Sequence, residues 1–70
     1  MDTVIRAWPR HLHEMRMCTS GARLIAERNG IDYSSFVMRG TPIDELRATG
    51  NEFCILLANH AEQEALNHGR

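Results

Sequence analysis

The chain contains no lysine: all eight of its basic residues are arginine. It has two cysteines, two prolines and a single tryptophan, and its longest unbroken apolar run is the short stretch from Phe53 to Ala58. Each scarcity excludes something. A helix needs ~20 apolar residues to cross a bilayer, and the first residues lack the apolar stretch of a secretory signal. A soluble chain in the cytoplasm, with no membrane partner, is therefore expected, and its two thiols read as reduced and buried.

Chemistry is scarce in the same way. Structural zinc needs four ligands in paired short spacings, yet no Cys-x₂-Cys is present, and His11, His13, His60 and His68 form no matching pair. No metal or cofactor is expected, and His11 and His13 read as surface residues. Ser34 and Ser35 lie outside any Gly-x-Ser-x-Gly elbow. Cys54 sits in the apolar run, where a thiol is inert. Cys18 stands at a helix start, where its pKa is lowered, but one feature does not make a site. Asp44 and Glu45 complement a helix dipole, and Glu62 and Glu64 read as a solvated face. The chain is not expected to be an enzyme.

What is present fits one small domain. Of 70 residues, 43% are hydrophobic, enough for a globular core. A chain this short buries only ~60% of the surface its unfolded form exposes, which leaves little room for a deep ligand pocket. The net charge is −1, unevenly spread. Residues 1–28 carry +2, and residues 29–70 carry −3. Arginine suits bidentate contacts to phosphate or carboxylate, although an arginine-only repertoire is also what a GC-rich genome writes. The polarity suits head-to-tail self-association or docking on a charged partner.

Starts and stops of helices crowd the chain. Residues 1–8 read as an extended arm, because Trp8 precedes Pro9. Pro9 opens a short helix or turn over 9–17. Thr19 or Ser20 caps a helix over 19–29, with Ala22, Ile25 and Ala26 inward, Gly21 permitting a close neighbour, and Gly30 as its left-handed stop. Asp32 caps a helix over 33–39 with Phe36 and Val37 inward, ended by Gly40. Thr41, Pro42 and Asp44 supply N-cap, N1 and N3 of a helix ending by Ala48, with Ile43 and Leu46 inward. Thr49 and Glu52 repeat that logic for the longest helix, running to about Asn67, with His68 and Gly69 ending it. Its main stripe is Phe53, Cys54, Leu57, Ala61 and Ala65. Ile55 and Leu56 widen that stripe almost to a circle, so this helix is either wrapped by the others or turns Ile55 and Leu56 to a protein partner or a second copy. The expected fold is all-α: a compact bundle of three to four short helices, a longer C-terminal helix and an extended N-terminal arm. Residues 1–17 form the arm with its short helix, and residues 18–70 the helical domain.

Residues 21–39 resemble the helix-turn-helix of phage repressors. Ile25 and Ala26 stand where that motif packs its first helix, Gly30 falls in the turn, and Phe36 lies on the inner side of the second helix. The resemblance implies a recognition helix in the major groove, with Tyr33, Ser34, Ser35 and Met38 outward and Arg23, Arg28 and Arg39 available to phosphate. Yet Asp32 begins that helix where phosphate would sit. No Arg, Lys, Asn or Gln stands where base edges are read, and the net charge is acidic although phosphate neutralisation supplies much of DNA affinity.

The wider string Cys18, Gly21-Ala22-Arg23, Glu27-Arg28-Asn29-Gly30-Ile31-Asp32-Tyr33, Phe36-Val37, Gly40, Leu46 and Ala48-Thr49-Gly50 resembles a set of small uncharacterised proteins of tailed phages and prophages. The likeness spans roughly residues 9–65. It implies a virion part or assembly factor, or a short protein that binds and inhibits a host factor, in either case through protein–protein contact. That places the chain in the cytoplasm of an infected or lysogenic bacterium, or in the virion. Trp8 is then the candidate anchor, since tryptophan is enriched at interface hot spots, or else it covers the end of the small core. Ile55 and Leu56 are the second candidates.

Overall fold

The computed structural model describes residues 4–68. The stop at Gly69 and the charge of Arg70 lie outside them, as does the side chain of His68. The fold is all-α with a minimal two-stranded ladder. Strand β1 (Arg6–Ala7) leads into helix α1 (Pro9–Glu14), followed by α2 (Thr19–Arg28) and α3 (Tyr33–Arg39). Strand β2 (Thr41–Pro42) precedes α4 (Ile43–Ala48) and the long α5 (Glu52–His68). The extended arm is built into the body: Arg6 pairs with Pro42 and Ala7 with Thr41, antiparallel. The amide of Ile43 donates to the carbonyl of Ile5 at 3.0 Å and carries the pairing one step further.

Helix α5 organises the core. Cys54, Leu57, Ala58 and Ala61 are buried along one side of it, and α4, α1 and β1 pack there. Ala58 and Ala61 let those neighbours come close, and Ala7 from the arm is fully buried among them. Leu12, Ala22, Phe36, Ile43 and Leu46 complete one continuous cluster. Val37, expected inward beside Phe36, is exposed. Phe36 is the one buried residue of this seven-residue helix, and Val37, about 100° further round, turns away from the core.

The stops follow their sequence signals. At Gly30 (φ 75°) the amide of Ile31 donates to Ala26 at 2.8 Å and that of Gly30 to Glu27 at 3.3 Å, the paired bonds of a Schellman end. Helix α1 ends the same way, with the amide of Met17 donating to Leu12 and that of Arg16 to His13. There the left-handed residue is Arg16 (φ 60°), not a glycine.

Several starts differ from the sequence signals. Cys18, not Thr19 or Ser20, is the N-cap of α2, and Thr19 is its first residue. Pro42 is the N-cap of α4, without a side-chain cap bond, because Thr41 is taken into β2 and buried. Asp44 and Glu45 keep their place in the first turn. At α5 the cap role falls to Asn51, whose Oδ1 accepts from the Cys54 amide at 3.1 Å. Thr49 instead donates its hydroxyl to the Leu46 carbonyl at 2.7 Å and closes α4. A Cβ at Gly21 would meet nothing within 4 Å beyond its own helix, so no close approach depends on the glycine.

Gly40 is a different matter. With φ 75° and ψ 166° it occupies a region essentially restricted to glycine. A Cβ there would lie 2.9 Å from Cε2 of Trp8 and 3.1 Å from the carbonyl oxygen of Ala7. Gly40→Ala is therefore expected to lower stability by about 2 kcal/mol or more, read in a denaturant melt, with Trp8 fluorescence shifting in the folded state. Arg16→Gly is expected to raise stability by up to about 1 kcal/mol by relieving the left-handed strain. A melt showing no gain would mean that the Arg16 side chain supplies an offsetting interaction.

Candidate functional site

Polar chemistry concentrates where α1 lies on α5. Pro9 sets the helix start, and the amide of Trp8 donates to Nδ1 of His11 at 2.8 Å. That bond fixes the tautomer: Nδ1 accepts, so Nε2 carries the hydrogen and donates it to Oε1 of Glu64 at 2.9 Å. His11, expected at the surface, is 2% exposed. Arg10 donates to the same Glu64 oxygen at 2.9 Å. One turn on, Glu14 and His60 pair at 2.6 Å, and the rings of His11 and His60 meet edge to face with centroids 5.7 Å apart.

Glu64 was expected on a solvated face, but this cluster holds it and pushes its pKa down to about 2. The adjacent Glu14 carboxyl, hydrogen-bonded to it, contributes most; the Arg10 guanidinium and the His11 imidazole add to it. Glu62 is likewise engaged, accepting from Arg47 at 2.6 Å.

His11, Glu14 and Glu64 bring three donor atoms within 4.8 Å of one another, the spacing of a cation site. The donor set argues otherwise. A metal on Nε2 of His11 would force the proton onto Nδ1, against the Trp8 amide, and cost α1 its cap. The Arg10 guanidinium already occupies the Glu64 oxygen such an ion would need. The cluster is an ion-pair clamp that fixes α1 to α5.

Cavities are modest. A recess lined by Leu12, Phe36, Leu46 and Leu57 holds about 20 Å³, room for a single water. A cleft of about 300 Å³ lies between the arm and α5, bordered by Trp8, Arg10 and Glu64. Another of about 370 Å³ is bordered by Arg6 and Arg39 together with Asp32 and Glu45, so its charges cancel.

The helix-turn-helix candidates take their places on α2 and α3. Arg23, Arg28, Ser34 and Arg39 are exposed. Tyr33 is half-buried with its ring 5.5 Å from that of Phe36. The hydroxyl of Ser35 and the amide of Ser34 both donate to Asp32, at 3.1 Å each, so Asp32 caps α3 as its position implied. The outward surface of α3 is mixed: beside Ser34 and Arg39 it exposes two apolar side chains, Val37 and Met38, Met38 at 77%. Leu24 is exposed on α2.

Trp8 is half-buried against Gly40. On α5, Ile55 is half-buried and Leu56 is exposed, as is Leu66 near the far end. Cys54 is buried, but Cys18, expected buried, is exposed. The amides of Gly21 and Ser20 at the start of α2 favour its thiolate and hold its pKa below the ordinary thiol value. No helix among the described residues is long and apolar enough to cross a membrane.

No protein-family model, curated protein or solved structure matches the chain.

The clamp gives a signed pH dependence. Because the Glu64 pKa is depressed in the folded chain, its contribution is complete above the ordinary carboxylate value of 4.5 and is lost as pH falls toward about 2. Thermal melts across that window should show the loss in the wild type. In Glu64→Gln the same limb should be shallower and the melting temperature at neutral pH lower. Equal slopes in the two proteins would place the acid sensitivity elsewhere.

Proposed function

We propose that the chain is a small protein-binding module of the tailed-phage type, acting as a virion or assembly component. The observation that carries this reading is on α3: beside Ser34 and Arg39, this helix presents the apolar Val37 and Met38 to solvent, where a reader of DNA carries base-contacting polar side chains. Contiguous exposed apolar surface marks a site for protein, and Val37 and Met38 are neighbours in sequence on α3. The phage context comes from the sequence resemblance of residues 9–65. It also admits a host protein as the partner, in which case the chain is an inhibitor.

A second reading has its own support. Helices α2 and α3 follow one another through a short turn at Asn29–Asp32, the order of a helix-turn-helix, with Arg23, Arg28 and Arg39 all exposed. A regulator of this kind would bind duplex through phosphate contacts and lose affinity steeply with salt.

Particles of a phage carrying the gene test the first reading. The chain is expected in fixed stoichiometry in purified particles, and Met38→Asp is expected to remove it from them. Because Met38 is exposed, that variant should keep its stability to within about 0.5 kcal/mol. Absence of the wild-type chain from particles, combined with salt-sensitive binding to a random-sequence duplex, would overturn the assembly reading in favour of the regulator.

A further inference from the structure

The outer face of α5 is organised in a way the core does not require. Glu52, Leu56, Asn59, Gln63 and Leu66 are all exposed, on the side opposite buried Cys54, Leu57, Ala58 and Ala61. They recur at alternating steps of four and three residues, the spacing of a coiled-coil seam. Four of its five positions are also palindromic about Ala61. Leu56 and Leu66 each stand five residues from it, and Asn59 and Gln63 each stand two.

A two-fold interface demands that one patch complement itself. Laid antiparallel on a copy of itself, with the axis at the level of Ala61, this helix sets Leu56 against the second copy's Leu66. In the next layer it sets Asn59 against the second copy's Gln63. We propose that the outer face of α5 takes a second copy of this chain in that antiparallel register. Half-buried Ile55 flanks Leu56, so each end of the contact closes an apolar cluster of Ile55, Leu56 and the second copy's Leu66. The two amide layers between those ends hydrogen-bond across the seam. They also penalise a slipped register, in which a leucine would face an amide.

Charge is complementary near the axis. Glu62 flanks the seam and would meet its own image, but each Glu62 brings Arg47, which donates to it at 2.6 Å and to Asn59 at 3.0 Å. Two guanidiniums thus stand beside two carboxylates, and the centre of the contact is neutral. The size of the contact sets its strength. From Glu52 to Leu66 the seam is roughly 20 Å long at 1.5 Å per residue, which keeps the interface below about 1,200 Å², the range of weak and transient associations. The dimer is of micromolar strength or weaker. It uses a different face from α3 and does not rest on the reading of that helix.

Sedimentation equilibrium over low-micromolar to near-millimolar chain is expected to show a reversible monomer–dimer equilibrium. Leu56→Asp should weaken it by at least about tenfold with an unchanged melt, because Leu56 is already exposed. Register is read by linking. In a Cys18→Ser background, the double variant Leu56→Cys with Leu66→Cys is expected to give covalent dimer with a short bismaleimide, whose span is too small to join the two positions within one helix. Leu56→Cys alone is expected to give little. A single-chain mass at every concentration overturns the proposal, and so does efficient linking of Leu56→Cys alone, which would mean a parallel contact. Incorporation into particles is a separate readout, so a monomer that still assembles would sink the dimer and leave the assembly reading standing.

Discussion

The close approach at Gly40 is the constraint on which the rest of the structure depends. Two stretches of chain meet there: the passage from α3 into β2, and the arm with the carbonyl of Ala7 and the indole of Trp8. Only a residue without a Cβ lets the chain leave α3 in that conformation and leaves space for the indole. Once the arm is seated, Ala7 fills the core and Pro9 launches α1 in the direction that buries Leu12. A domain of this size has few apolar residues to spare, so a two-residue strand and one small contact carry consequences that a larger core would dilute.

The arm is held a second time, by a different force. Arg10, His11 and Glu14 fasten α1 to Glu64 and His60 on α5. The two grips differ in what weakens them. The steric and apolar grip at Gly40 is indifferent to pH and salt. The clamp depends on an ionised Glu64, and the exposed Arg10 side of it is screened by salt. Buried His11 is the part that water cannot replace, because its ring satisfies the Trp8 amide and Glu64 at once. Losing it would leave an unpaired amide at the start of α1, a larger cost than the ion pair itself.

The sequence makes legible whatever is decided locally. The bounds of α3, the Schellman end at Gly30, the cap at Asp32 and the inward placing of Ile43 and Leu46 follow from residues within a few positions of one another. What was not legible depends on partners far along the chain. Thr41 carries a strong local cap signal, yet pairing with Ala7 outcompetes it. His11 looks like a surface histidine because the carboxylate that accepts from it lies 53 residues away. The Glu14–His60 pair spans 46 residues, and neither residue announces the other. Val37 failed for a different reason: hydrophobicity alone cannot tell which of two adjacent apolar residues on a seven-residue helix turns inward. At α5 the composition left open whether Ile55 and Leu56 are wrapped or presented. The fold divides them, with Ile55 half-buried and Leu56 exposed.

Two apolar surfaces on two different helices bear on how such a small chain could act. A contact through the outer face of α5 alone leaves Val37 and Met38 on α3 available, and a contact through α3 leaves Leu56 and Leu66 available. Under the two-fold arrangement argued for α5, each dimer would display two copies of the α3 surface. A weak α3 contact would then gain by avidity whenever two partner sites lie within reach, because the second contact forms at high effective concentration. That gain suits a repetitive partner, such as the repeated subunits of a particle, better than a monomeric one. Weak self-association would then have a purpose: the chain would be bivalent where it is concentrated on a lattice of sites and monomeric where it is dilute. A phosphate-bearing duplex would draw on neither apolar surface, which is the physical reason a protein partner is preferred over a duplex.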